Sequence, residues 1–257
     1  MTMTVEADTP GHSTRAAPFS SAPLSRGADR TFRSRETGGG GKPSVVQTLD
    51  PIAETPQGAL SSTAARRNAE PILKVLRAHM PAQGRVLEIA AGSGEHAAAF
   101  SAALPGLDWT PSDPSAQARA SIAAWRAQAG IANLNPPLAL DVMDEATWPA
   151  DPFGAIFCAN MIHISPWAAT VGLMALAGRI LTNPGGLLVL YGPYREADVP
   201  LAASNAAFDE SLKSRDPAWG LRERDAVVAE ARAKGLSLTR RVEMPAENLM
   251  LLFRKVG

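Results

Sequence analysis

The stretch from Arg85 to His96, RVLEIAAGSGEH, limits the fold of this chain more than any other segment. A short apolar run ends in Gly92-Ser93-Gly94, and a segment with helical character follows. Glycines allow close approach of the backbone, and a helix start offers free N–H groups and a positive dipole end. A strand, a glycine turn and a helix start in this order predict a nucleotide-binding corner.

Strands and helices alternate along the rest of the chain. Helical segments are predicted at 69–80 (capped by Asn68, with Pro71 in its first turn), 96–104, 115–128, from Ser165-Pro166 to before Asn183, 203–214 and 225–234. The predicted strands are 86–90, 108–112, 138–140, 155–159, 187–191, 237–243 and 249–254. This order predicts an α/β fold with a doubly wound, seven-stranded, mostly parallel sheet. The last two strands flank a short loop, so we expect a C-terminal antiparallel pair.

Residues 1–61 differ in composition from the rest. They are rich in Ser, Thr, Pro, Gly and Arg, and their apolar side chains are too few to offset the entropy of ordering. We expect a disordered extension over 1–61 and a folded domain over 62–257. The extension has no apolar region of the kind that a secretory signal needs.

Charge and cysteine content limit the binding partners and the cellular location that we expect. The chain has 25 basic and 25 acidic residues, which argues against a basic nucleic-acid-binding surface. The single cysteine, Cys158, lies in an apolar strand and is interpreted as a core residue. It cannot form an internal disulfide, and no apolar run approaches the ~20 residues of a membrane span. We therefore predict a cytoplasmic location; the oligomeric state cannot be read from the sequence.

Three acidic residues lie near the carboxyl ends of the first three predicted strands. Because ligands bind outside these ends in a parallel sheet, Glu88, Asp113 and Asp141 should converge on one crevice. Asp113 is placed to accept hydrogen bonds from a ribose, and Asp141 could accept from the exocyclic amine of an adenine. Glu88 would repel a pyrophosphate and would suit a cationic ligand with an amino group. These requirements describe S-adenosylmethionine (SAM).

The motif LEIAAGSG at 87–94 resembles motif I of class I SAM-dependent methyltransferases. More closely, the chain resembles the uncharacterised family called methyltransferase-like protein twenty-six in animals. The matching segments are RNAEPIL (67–73), WTPSD (109–113), NMIH (160–163), YGPY (191–194), DPAWGLR (216–222) and MPAEN (244–248). The resemblance implies a Rossmann-like class I methyltransferase fold, with the cofactor at Glu88, Ala90, Gly92, Gly94, Asp113, Asp141 and Asn160.

Two residues depart from the expected pattern. Ala90 stands where many methyltransferases have the first motif glycine, which is tolerable if its backbone is strand-like. Glu247 stands where we would expect asparagine.

Candidate catalytic residues follow the fourth and fifth predicted strands. Asn160 and His163 come after the fourth strand, where methyltransferases place catalytic or substrate-positioning residues, and His163 could serve as a general base. Tyr194, near the end of the fifth strand, could position a substrate. The structural alternatives are a satisfied half-buried histidine and a packed tyrosine ring.

The acceptor side is assigned to segments 62–72, 192–205 and 214–222, which we expect to form a lid. Arg67, Asn68, Tyr194 and Arg222 are candidate substrate-binding residues, although Arg222 could equally be structural. A lid without a further recognition domain favours a small-molecule acceptor. The predicted function is a SAM-dependent methyltransferase. A SAM-binding regulatory protein and an NAD(P)-dependent oxidoreductase remain alternatives, the latter because Gly92, Gly94 and Ala97 also satisfy the dinucleotide pattern.

Overall fold

A computed structural model describes residues 52–55 and 58–256 of the chain. Its elements, in chain order, are β1 Ile52–Glu54, β2 Leu60–Ser62, α1 Thr63–His79, β3 Gly84–Ile89, α2 Glu95–Ala103, β4 Leu107–Pro111, α3 Ala116–Ala129, β5 Ala155–Ala159, α4 Trp167–Ile180, β6 Leu187–Gly192, β7 Tyr194–Arg195, α5 Ala203–Arg215, β8 Arg222–Glu223, α6 Arg224–Ala233, β9 Leu236–Met244 and β10 Asn248–Lys255. Short 3-10 turns cover Glu145–Thr147 and Met161–His163.

The main sheet has the strand order β4-β3-β5-β6-β10-β9. Strands β4, β3, β5 and β6 are parallel, while β10 is antiparallel to both β6 and β9. The mixed, mostly parallel sheet and the C-terminal antiparallel hairpin are therefore observed. The carboxyl ends of β3, β4, β5 and β6 lie along one edge, which positions the candidate site.

The expected count of seven strands is wrong for the described part of the chain. The segment predicted as a strand at 138–140 makes only an isolated bridge, between Leu138 and Ser112, and a second bridge joins Leu134 to Trp109. Proline has no N–H to donate, and prolines interrupt both sides of this edge. Pro111 ends β4, and Pro136 and Pro137 lie between the two bridges.

Alternate residues of the parallel strands enter two hydrophobic cores, one on each face of the sheet. In β5, Ala155 and Phe157 pack into the core that contains residues of α1 and α2. Ile156 and Cys158 pack into the core that contains residues of α4 and α6. This alternation, with both faces buried, explains the unbroken apolar sequence of β5. The helices on both faces give the doubly wound arrangement.

The structure at the N-terminal side differs from the prediction. Residues 52–55 and 58–61, assigned to the disordered extension, include the antiparallel pair β1–β2. Leu60 is tied to α3, since its N–H donates to Ser121 Oγ at 2.7 Å and its carbonyl accepts from Trp125 Nε1 at 2.9 Å. The rest of the extension lies outside the described residues, so its disorder stays a prediction.

Helix α1 starts earlier than predicted. Its N-cap is Ser62, whose Oγ accepts from the N–H of Ala65 at 3.2 Å, so Asn68 is not the cap. Pro71 lies inside the helix instead of its first turn. No helix within 52–55 and 58–256 is long and apolar enough to cross a membrane.

Candidate functional site

The glycine turn joins the end of β3 to the start of α2. Gly92 and Gly94 have φ values of 56° and 87°, in the left-handed region that favours glycine. A Cβ on Gly94 would lie 2.9 Å from the Cα of Ile122, so this glycine allows α3 to pack against the turn. A Cβ on Gly92 would meet only the Ala90 carbonyl, at 4.0 Å. The turn is thus closed by α3 at Gly94 and open at Gly92.

Ala90 does not have the strand-like backbone that was expected. Its φ is 52°, the left-handed conformation that the glycine of the motif adopts without strain. Glu247 follows Ala246 in the β9–β10 turn, with φ values of 54° and 58°. Asparagine, which the family resemblance led us to expect at 247, tolerates this conformation better than most residues.

Asp113 connects the glycine turn to the start of α3. Its Oδ2 accepts from the N–H of Gly92 at 3.0 Å, and its Oδ1 accepts from the N–H of Ser115 at 2.9 Å. Burial raises the pKa of this carboxyl, although these two hydrogen bonds oppose the shift. The carboxyl therefore has a structural role at the start of α3, and each oxygen retains capacity for a second hydrogen bond.

Glu88 lies at the end of β3, with its side chain buried beside the turn. The indole Nε1 of Trp109 donates to its Oε2 at 2.6 Å. Burial raises the pKa of Glu88 to about 8; the Trp109 hydrogen bond lowers it in part, and the nearby Asp113 carboxylate raises it further. Glu88 and Asp113 thus interact electrostatically, as expected from the neighbouring ends of β3 and β4.

Asp141 follows the segment that bridges to the edge of β4. Its Oδ1 accepts from the N–H of Met143 at 2.9 Å, and its carbonyl accepts from Thr147 Oγ1 and Trp148 Nε1. Through these bonds Asp141 caps the turn that follows it. Its contact with an adenine stays a prediction.

His163 is not placed to act as a general base. Its side chain is fully buried, and neither ring nitrogen makes a hydrogen bond of good geometry with the described residues. Burial and the nearby Arg222 guanidinium lower the pKa of His163 to about 3, although the backbone of Gly220 opposes the shift. Sequence alone could not show this, because the burial comes from distant segments.

Asn160 lies between His163 and the end of β6. It has a left-handed φ of 60°, and its N–H donates to the Tyr191 carbonyl at 2.8 Å. A Cβ on Gly192 would lie 2.5 Å from His163 Nε2 and 3.3 Å from Asn160 Oδ1. The two side chains therefore pack against Gly192, and Asn160 remains partly exposed at the carboxyl edge of the sheet.

Tyr194 packs edge-on against His163, with 5.0 Å between the ring centroids. Its hydroxyl is buried without a hydrogen-bond partner among the described residues. Burial, with a contribution from Cys158, raises its pKa above the usual range. The phenol is therefore neutral and packed, and a catalytic proton transfer by Tyr194 is not supported by these surroundings.

Arg222 makes the backbone contacts of a structural residue. Its Nε donates to the carbonyl of Ile162 at 2.8 Å, and its Nη2 donates to the carbonyls of Ser165 and Ala218. It thereby joins the loop after β5 to the loop before β8. These bonds favour the structural alternative, and a substrate-binding role for Arg222 stays a prediction.

Arg67 and Asn68 lie on α1. Arg67 is exposed, and its charge lowers the pKa of the Tyr191 hydroxyl in part, although burial raises that pKa to about 12. Asn68 is half-buried. Their proposed contact with a substrate stays a prediction.

Two residues at the start of α2 were missed in the sequence. Glu95 accepts from Ser61 Oγ at 3.1 Å and from the N–H of Ser62, which ties the start of α1 to the glycine turn. His96 Nε2 lies 3.0 Å from the Ala65 carbonyl, and burial lowers its pKa to about 4. The sequence did offer one signal for these two residues, which is their position directly after the motif glycines in the first turn of a helix.

Residues 59–255 match the family described as Protein of unknown function (DUF938). The chain belongs to this family. The match begins just before β2, so the family includes the segment that contacts Glu95. The narrower resemblance to methyltransferase-like protein twenty-six stays a prediction.

Solved methyltransferase structures share the fold. An O-methyltransferase family protein from Burkholderia thailandensis is 15% identical, with a TM-score of 0.65 over 76% of this chain and 58% of its own. An O-methyltransferase family 2 protein from Planctomyces limnophilus, in complex with apigenin, is 20% identical, with a TM-score of 0.65 over 75% and 58%. PigF with S-adenosylhomocysteine (SAH) is 17% identical, with a TM-score of 0.63 over 74% and 56%. The chain spans a little over half the length of these proteins.

Proposed function

We propose that this protein is a SAM-dependent methyltransferase that acts on a small-molecule acceptor. The observation that carries the proposal is the arrangement around Gly92: an open left-handed turn that is hydrogen-bonded to Asp113 and lies beside the buried carboxyl of Glu88. The shared O-methyltransferase fold supports it. A pyrophosphate would be repelled by the Asp113 carboxylate, whereas a cationic nucleoside with an amino group would be attracted and would favour ionisation of Glu88.

The residues present fit SAM. Asp113 has acceptor capacity for two ribose hydroxyls, because each oxygen takes one N–H in the structure. Gly92 leaves room for close approach of the ligand. Glu88 would accept from the amino group of the methionine part, and Asp141 from the adenine amine. SAM supplies an already activated methyl group.

The chain's own part in the reaction is binding, orientation and exclusion of water. Asp113 and Glu88 would hold the two ends of the cofactor, and Asn160 would orient the acceptor from the end of β5. Proximity of this kind can supply about 7–11 kcal/mol of the barrier. His163 and Tyr194 are buried and neutral, so they support the carboxyl ends of β5 and β6 and do not carry protons.

Titration calorimetry with SAM and SAH tests the proposal. We expect both to bind the native protein, and Asp113→Asn to weaken binding by about 1.5–3 kcal/mol for a lost charged hydrogen bond. Asp108→Asn is the matched control, since Asp108 is an exposed residue of β4, the strand that precedes Asp113. Circular dichroism confirms that each variant folds. Absence of binding to the native protein, or equal affinities in the two variants, would contradict the assignment.

Turnover separates an enzyme from a non-catalytic binding protein. SAM is incubated with the native protein and a pool of small metabolites that contain amines, hydroxyls and thiols, and SAH formation is measured. We expect SAH to accumulate with the native protein and to be reduced with Asp113→Asn. Tight SAM binding without SAH formation from any pool would favour a regulatory role.

A further inference from the structure

A cavity of about 330 Å³ lies beside the carboxyl edge of the sheet, between the loop after β7, the start of α5 and the β9–β10 hairpin. Tyr194 forms part of its wall. Leu249, also in the wall, is paired with Gly192, against which Asn160 packs. The cavity therefore adjoins the end of β6 and the residue proposed to orient the acceptor. Its volume is at the lower end of the range for small-molecule sites.

The cavity has apolar wall segments beside polar ones. Pro200, Leu201, Met244, Leu249 and the ring of Tyr194 contribute to the apolar part. Val199 also lines the cavity and is 54% exposed. An apolar wall with an exposed apolar residue favours a ligand with a hydrophobic ring or chain.

The side chains of the lining that carry N–H groups are already engaged. Arg241 donates through its three nitrogens to Glu196 and Glu243. The Nδ2 of Asn205 donates to the carbonyl of Glu247 at 3.1 Å, and the Nδ2 of Asn248 donates to two carbonyls of the hairpin turn. An anionic ligand would therefore find little to bind it among these side chains.

Acceptors, in contrast, are abundant in the lining. Glu196, Glu243 and Glu247 contribute three carboxylates, and Arg241 is the one cation among the described lining residues. Arg224, behind the lining, balances part of the charge on Glu196. Glu247 is exposed at the turn and makes no ion pair within the described part of the chain. The cavity thus combines apolar wall segments with hydrogen-bond acceptors and a negative balance of charge.

We propose that this cavity binds the methyl acceptor and selects a small hydrophobic molecule that carries an amine over one that carries a carboxylate or phosphate. The role of the ligand as methyl acceptor rests on the proposed function. The chemical class of the ligand rests on the cavity alone. An ammonium or amine group would donate to Glu247 or to the amide oxygens of Asn205 and Asn248, while its ring or chain lies against Leu201, Met244 and Leu249.

Ligand-observed NMR with three probes on one ring system tests the ligand class. Tryptamine, tryptophol and indole-3-propionate share the indole and differ in the terminal amine, hydroxyl or carboxylate. Each is measured with and without saturating SAH. We expect tryptamine to bind most tightly and indole-3-propionate most weakly. Equal binding of the carboxylate and the amine, or no binding of tryptamine, would overturn the proposal.

Variants locate the binding. Ala202→Trp fills the cavity, and Val199→Trp covers its mouth at an exposed position where folding is safer. We expect both to abolish tryptamine binding and Glu247→Gln to weaken it about 2- to 5-fold, as for an exposed charge pair. Glu210→Gln, exposed on α5 and outside the lining, is the control. Unchanged tryptamine binding in both tryptophan variants would contradict the assigned location.

Calorimetry with SAH on the same variants separates this inference from the proposed function. SAH binding is expected to be retained in all of them. SAH binding without tryptamine binding would defeat only the cavity's role. Tryptamine binding without SAH binding would defeat the methyltransferase proposal and the acceptor role with it, but leave the ligand preference of the cavity intact.

Discussion

The indole N–H of Trp109 donates a hydrogen bond of 2.6 Å to the carboxyl group of Glu88, across the neighbouring strands β3 and β4. This hydrogen bond offsets only part of the desolvation penalty on the fully buried Glu88 carboxyl group. The pKa of Glu88 therefore remains raised to about 8. A carboxyl in this condition makes both folding and ligand binding sensitive to pH.

Stability should therefore fall as the pH rises through the range set by Glu88. The unfolded chain has the ordinary carboxyl pKa near 4.5, so it loses the proton first, and ionisation in the fold is penalised between pH 4.5 and about 8. Glu88→Gln should thus gain stability relative to the native protein as the pH rises, by on the order of 3–5 kcal/mol at pH 8. Urea unfolding at pH 5 and pH 8 measures this. Asp108→Asn is the control, and an equal effect of Glu88→Gln at both pH values would refute it.

Cofactor affinity should have the opposite pH dependence. If the amino group of SAM binds ionised Glu88, a proton must leave at neutral pH, so affinity should rise by up to about tenfold per pH unit until pH 8. Calorimetry at pH 7 in buffers of different ionisation enthalpy should detect release of about one proton per SAM. In Glu88→Gln the release and the pH dependence should both vanish. Release that persists in the variant would assign the proton to another group.

The two motif glycines should fail in different ways when they are replaced. Gly94→Ala would place Cβ 2.9 Å from the backbone of Ile122 at a φ of 87°, and should destabilise the fold by about 2–5 kcal/mol. Gly92→Ala meets open space and should cost about 1–2 kcal/mol for its left-handed backbone alone. It should nevertheless lose SAM binding, because the new methyl group lies where the ligand approaches. Thermal unfolding and SAM titration separate the two effects, and a SAM-binding Gly92→Ala protein would count against this placement of the cofactor.

Protonation of His163 should reduce the stability of the fold in acid. The titration of His163 should leave catalysis unaffected. Its pKa is near 3 in the fold and near 6.5 in the unfolded chain, so the unfolded chain takes up the proton first as the pH falls below 6.5. At pH 5 the loss should be about 2 kcal/mol. His163→Leu should remove this loss, whereas His79→Gln, which changes a half-buried histidine at the end of α1, should not. Urea unfolding at pH 7 and pH 5 gives the comparison; a loss that persists in His163→Leu would show that another group is responsible.

Local sequence patterns predicted the parts of this protein that depend on neighbouring residues. The glycine corner, the buried strand β5 and the antiparallel C-terminal hairpin follow from apolar periodicity and turn residues, and the structure contains all three. The corner was also the segment that placed Glu88 beside Asp113, because parallel strands bring their carboxyl ends together.

The differences between the predictions and the structure concern contacts between distant segments. His163 was assigned a catalytic role because it follows a strand at the expected edge, but its surroundings come from Gly192, Tyr194 and Arg222. Ala90 was placed at the end of the predicted strand 86–90, but the turn imposes a left-handed conformation on it. Burial and imposed backbone conformation are properties of the assembled fold, and a single sequence does not contain them explicitly.

The prolines that end the sheet at β4 also affect how copies of the chain meet. An exposed strand edge with regularly spaced N–H and carbonyl groups is a template for pairing between molecules, and therefore for aggregation. Here the segment beyond β4 forms only two bridges, and Pro136 and Pro137 offer no N–H groups between them. At the opposite edge, β9 carries the consecutive arginines Arg240 and Arg241. The proline interruption in place of a seventh strand thus disfavours edge-to-edge association at the β4 side of the sheet. The arginines of β9 disfavour it at the other side.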